Sequence, residues 1–112
     1  MTNILNKKVL IIDDDRAVCS SLQLLLHRYG FTTQSIFSPT QLLEVCSEFK
    51  PQVVLLDMNF SIDTSGKQGL RALQLLVDYD PSIKVILMTG WATVQLAVEG
   101  MKLGAKDFIA KP

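Results

Sequence analysis

Four short apolar runs in this chain each end on a reactive polar residue. Val9-Leu10-Ile11-Ile12 leads into Asp13-Asp14-Asp15, and Val53-Val54-Leu55-Leu56 into Asp57. Val85-Ile86-Leu87-Met88 leads into Thr89, and Asp107-Phe108-Ile109-Ala110 into Lys111. Continuous Val/Ile/Leu runs of this length read as strands of a parallel sheet buried on both faces. In open α/β sheets, ligand sites form at the carboxyl ends of the strands. If the four runs belong to one parallel sheet, acids, a hydroxyl and an ammonium meet at one edge. That set suits a divalent cation and a phosphoryl group.

Between the runs the pattern turns helical. Val18, Leu22, Leu25, Leu26 and Tyr29 recur at helical spacing and make one apolar face, with Asp15 as N-cap and Gly30 at the helix end. Thr32 to Phe37 reads as a strand too polar for the sheet centre, hence an edge strand. Ser38-Pro39 opens a second helix with a buried stripe of Leu42, Val45, Cys46 and Phe49, closed by Pro51. After Asp57 comes a long polar stretch, then Leu70, Leu73, Leu76 and Val77 at helical spacing, and a turn at Asp80-Pro81-Ser82. Val94, Ala97, Val98 and Met101 mark a fourth helix, and both Gly100 and Gly104 read as helix-terminating glycines. Five strands alternating with four helices predict a parallel sheet with right-handed crossovers and helices on both faces. Four helices leave one face thinly covered, so a further helix is expected beyond Pro112, with residues 1–112 forming one domain truncated before it.

The 112 residues suffice for one core, and 48% hydrophobic with 20% charged residues is the balance of a soluble globular domain. A formal net charge of zero argues against direct nucleic-acid binding. No run approaches a membrane span, and the N-terminus lacks a signal-peptide core. Cys19 and Cys46 sit singly inside helical patterns and read as small core residues of a cytosolic protein.

Taken one at a time, Asp57 is a turn residue, Thr89 a helix cap and Lys111 a surface lysine. Their common position at strand ends changes the reading. Two carboxylates about 4 Å apart repel by roughly 4 kcal/mol at an effective dielectric near 20. Mg²⁺ resolves such repulsion with oxygen ligands, a lysine supplies a point charge for phosphate, and a threonine hydroxyl can donate to a phosphoryl oxygen. No phosphate-binding glycine loop or dinucleotide fingerprint follows the first run. The only histidine, His27, lies away from the acid edge, and Asn59 stands where an aspartyl-nucleophile phosphatase would carry a second acid.

These residues resemble the receiver domain of two-component response regulators over essentially the whole chain. The resemblance rests on the acid pair after the first strand, the Asp ending the third, the Thr ending the fourth and Lys-Pro after the fifth. It implies a flavodoxin-like, doubly wound five-stranded sheet of order 2-1-3-4-5. It implies that Asp57 accepts a phosphoryl group from a histidine kinase or phosphotransfer protein. Asp13 and Asp14 would hold Mg²⁺, Asp14 foremost as a direct ligand, together with Asp57 and the Asn59 backbone carbonyl. Thr89 and Lys111 would bind the phosphoryl group, and Phe108 matches the switch aromatic. The Lys111-Pro112 bond is typically cis in the family.

The stretch from Met88 to Pro112 looks most like receivers of sigma-54-dependent activators, which implies an ATPase and a DNA-binding domain further along. The domain would be a cytoplasmic switch, not an enzyme beyond its own phosphorylation and slow dephosphorylation. Phosphorylation would remodel the face from Ala92 to Pro112, where Leu96 and Leu103 could meet a partner or a second copy. The alternative is a non-phosphorylated interaction module on the same fold. Two features depart from the family pattern. The loop after Asp57 is longer by about four residues, with Ser61 in place of a proline, and the final helix is missing.

Overall fold

The computed structural model describes residues 7–58, 67–90 and 94–111. β1 (Lys8–Ile12), β2 (Thr32–Ile36), β3 (Val53–Asp57), β4 (Lys84–Thr89) and β5 (Asp107–Ala110) form one sheet in the order β2-β1-β3-β4-β5, every pair parallel. α1 (Arg16–Arg28), α2 (Leu42–Phe49), α3 (Lys67–Tyr79) and α4 (Val94–Leu103) connect them. The order reverses between β1 and β3, which opens the crevice where α/β sheets bind ligands. The register sets Ile12 beside Leu56, Asp57 beside Met88 and Thr89 beside Ala110, so the strand ends are level there.

The helix starts follow local chemistry. The Asp15 carboxylate accepts from the N–H groups of Ala17 (2.9 Å) and Val18 (3.3 Å), capping α1. Ser38 accepts from the Thr40 N–H at 3.2 Å, and a short 3₁₀ turn over Pro39–Gln41 precedes α2. Gly104 ends α4 with φ +119°, a backbone setting that L side chains resist. α2 ends instead on Lys50 in the left-handed region, one residue before Pro51.

Alternate residues of each strand point to opposite faces and feed two separate clusters. On one face, Leu10, Ile12, Val54, Leu56, Val85 and Leu87 pack with Leu42 and Cys46 of α2 and with Ala72, Leu73 and Leu76 of α3. Gly100 brings α4 onto the same face, because a Cβ there would collide with Leu87 Cδ1. On the other face, Val9, Ile11, Leu55 and Met88 pack with Cys19, flanked by Leu22 and Leu26 of α1. Both cysteines are buried as expected, and burial pushes the Cys46 thiol up to about 11.

Four sequence readings are corrected. The buried stripe of α1 is Cys19 with Leu22 and Leu26, while Leu25 and Tyr29 are exposed. In α4 the inward residues are Ala97 and Gly100, with Val98 and Met101 turned to solvent. Gly100 therefore serves packing, not termination. β5 is not a buried strand: all four residues are exposed, because it forms the edge of the sheet, with β4 its only neighbour.

Candidate functional site

The three acids after β1 take three different roles. Asp13 is fully buried, and its Oδ1 accepts from the Asp15 N–H at 2.9 Å, which folds the turn back on itself. Its own N–H donates to the Ile36 carbonyl at the end of β2, at 3.1 Å. Asp14 is half-buried and offers an oxygen to the site. Asp15 is spent on capping α1.

Asp57 ends β3 and is also fully buried. Lys111, the first residue after β5, places its Nζ 2.8 Å from Asp13 Oδ2 and 2.9 Å from Asp57 Oδ1. Its position is fixed by the sheet, since its N–H donates to the Thr89 carbonyl at 2.7 Å. Burial alone would lower the Lys111 pKa, but hydrogen bonds and charge from Asp13 and Asp57 outweigh it and hold the ammonium above its usual value. Thr89, at the end of β4, is buried at the same edge.

Asp13, Asp14 and Asp57 each present a carboxylate oxygen, all within 4.8 Å of one another. The Lys111 ammonium pairs with two of these three carboxylates, Asp13 and Asp57. Hard oxygen donors at this spacing fit a divalent cation of the Mg²⁺ or Ca²⁺ type. The arrangement brings three carboxylates, a hydroxyl and an ammonium to one sheet edge.

The sequence-predicted Asp13, Asp14, Asp57, Thr89 and Lys111 thus converge. Phe108 does not join them: it pairs in register with Leu87 and is 42% exposed at the sheet edge. Asn59, Trp91 and Pro112, with the Lys111-Pro112 bond, lie outside the described residues, as does most of the long loop after Asp57. Sequence reasoning missed two supports. The Cys19 thiol donates to the Asp13 carbonyl at 3.4 Å, and the Arg16 guanidinium lies over the Phe37 ring, 4.0 Å from its centroid. The only signal for the first was a small residue one helical turn past the cap.

Comparison with known proteins agrees with this geometry. The response regulator receiver domain model matches residues 9–112. The transcriptional regulatory protein ZraR of Escherichia coli is 34% identical over 107 residues, covering 96% of this chain and 23% of the relative. The sporulation initiation phosphotransferase F of Bacillus subtilis is 31% identical over 108 residues, covering 96% of this chain and 84% of that one. The chain therefore spans about a quarter of the first relative and most of the second. A crystal structure of a Burkholderia pseudomallei response regulator, with a phosphorylated aspartic acid, calcium ion and citrate, superposes with a TM-score of 0.84. It is 27% identical, over 96% of this chain and 61% of that one. With its level strand ends, buried acid cluster and matched length, this chain belongs to the response regulator receiver domain family.

Proposed function

We propose that Asp57 is the phosphoacceptor of a Mg²⁺-dependent signalling switch. The observation that carries this reading is the Lys111 ammonium held between Asp13 and Asp57, with Asp14 completing a three-carboxylate cluster. Asp13, Asp14 and Asp57, with the Asn59 carbonyl, would hold the cation. When bound, Mg²⁺ neutralises charge on the transferring oxygens.

A carboxylate oxygen of Asp57 attacks the phosphorus of a phosphohistidine or a small phosphodonor. The new P–O bond forms as the bond to the leaving group breaks, and the leaving group departs with that electron pair. Lys111 moves from its paired carboxylates toward the phosphoryl oxygens, and the Thr89 hydroxyl donates to one of them. The acyl phosphate carries roughly −1.5 to −2 charges where Asp57 carried one. Phe108, half-exposed beside α4, turns inward as Thr89 is drawn to the phosphoryl group. This is a shift between two pre-existing populations.

The donor is a histidine kinase or phosphotransfer protein. The output is transcriptional, through the ATPase and DNA-binding domains of a sigma-54-type activator; support comes from the match to one quarter of a transcriptional regulator. Val98, Met101, Leu103 and Phe108 are exposed together at the α4–β5 side and would meet that output or a second copy. The domain acts in the cytoplasm, and no helix among the described residues is long and apolar enough to cross a membrane. The reading also includes one more helix, seated in the apolar cleft of about 220 Å³ between α1 and β5, lined by Val18, Leu22, Met88 and Ile109.

Intact mass after incubation with acetyl phosphate and Mg²⁺ tests the reading. One added phosphoryl group, absent in Asp57→Asn and absent without Mg²⁺, is expected. Uptake by Asp57→Asn would sink the acceptor assignment. No adduct together with no Mg²⁺ binding would favour the silent interaction module.

A further inference from the structure

Arg16 opens α1 directly after the three acids. A cation in the first turn opposes the helix dipole, and the acid beside it, Asp15, is engaged by the N–H groups of Ala17 and Val18 as the N-cap. Its guanidinium is seated instead on the ring of Phe37, 4.0 Å from the centroid. Phe37 directly follows Ile36, whose carbonyl accepts the Asp13 N–H at 3.1 Å. The β1–α1 turn, which carries the metal-binding acids, is therefore tied to the β2 exit twice. One tie is a backbone hydrogen bond at Asp13, and the other is a cation–π stack three residues on.

We infer that the Arg16–Phe37 stack is a positioning clamp that presets Asp13 and Asp14 for a divalent cation. The inference rests on the metal site proposed above. A preset acid turn needs less ordering when the cation arrives, so affinity is gained without a new ligand. Arg16 touches neither cation nor phosphoryl group in this role and acts only through the turn.

The test has two readouts. The first is amide hydrogen exchange in the metal-free protein, and the second is Mg²⁺ titration by calorimetry. Arg16→Gln and Phe37→Leu are each expected to speed exchange at Asp13 and Asp15 about three- to tenfold, the range of a partly exposed cation–π pair. Exchange at Leu10 and Leu73, deep in the core, should not change, which separates the clamp from general loosening. The Mg²⁺ dissociation constant should rise by a similar factor. The double variant should be no worse than either single one, and Phe37→Tyr should behave as the unsubstituted protein. Unchanged exchange in both single variants overturns the clamp. Tighter Mg²⁺ binding in Arg16→Gln with no change in Phe37→Leu also overturns it, since Arg16 would then act as a bare repelling charge. Faster exchange with no Mg²⁺ binding in the unsubstituted protein would strike the metal site itself and remove the positioning role with it.

Discussion

Lys111 is a single ammonium shared by two fully buried carboxylates. Breaking such a set by removing one partner leaves buried charge uncompensated and costs about 3–5 kcal/mol. Lys111→Met should therefore lower stability by that order in metal-free buffer, read from urea midpoints, and Mg²⁺ should restore part of it. No loss would mean that the pairing contributes nothing. The pH dependence has a definite sign. A lysine whose folded pKa is raised above its unfolded value near 10.4 stabilises fully below that value and loses the effect as pH climbs through the folded pKa. The stability gap between the unsubstituted protein and Lys111→Met should stay level up to about pH 10 and narrow above it. A gap that widened there would contradict the raised pKa. The residues of this set were legible because each follows an apolar run. The Cys19 thiol on the Asp13 carbonyl was not, since a buried cysteine finds its partner only once the helix is docked.

Gly100 carries the lesson at the level of elements. On an open helix, glycine to alanine gains about 1 kcal/mol. Here the added Cβ would meet Leu87 Cδ1 and press α4 off β4. Gly100→Ala should thus destabilise by about 1–3 kcal/mol net, the usual cost of overpacking. Combining it with Leu87→Val should recover part of the loss, because the offending methyl is drawn back. Additive losses in a double-mutant cycle would argue that the two do not touch. Sequence spacing could not separate packing from termination, since both roles ask for a missing Cβ; Gly104, with its positive φ, does terminate. The α1 stripe failed for a related reason. Its apolar residues span more than one face, and periodicity alone does not say which part meets the sheet. β5 read as a buried strand because Phe108-Ile109-Ala110 is as apolar as a central run, yet burial depends on what lies beside the strand.

For the whole molecule, the sheet divides the core unequally. The face under α2, α3 and α4 gathers a large buried cluster, whereas the face under α1 holds a small one that opens into the apolar cleft beside β5. Stability should follow that division. Leu73, fully buried between α3 and the sheet, should cost about 3–5 kcal/mol as Leu73→Ala. Leu22, only partly buried on α1 at the mouth of the cleft, should cost about half as much or less, because the lost methyls already face open space. Local opening should be lopsided in the same way, since regions with few buried apolar contacts open well below the global unfolding free energy. Amides of α1 and β5 should exchange earlier than those of β3 and α3 in the 112-residue chain. A helix seated in the cleft should slow α1 and β5 selectively, raise the cost of Leu22→Ala toward that of Leu73→Ala, and leave the Leu73 value unchanged. Equal protection on both faces of the chain alone would show that the cleft is not a weak side, and that no covering helix is needed to hold Lys111 and β5 against the acids.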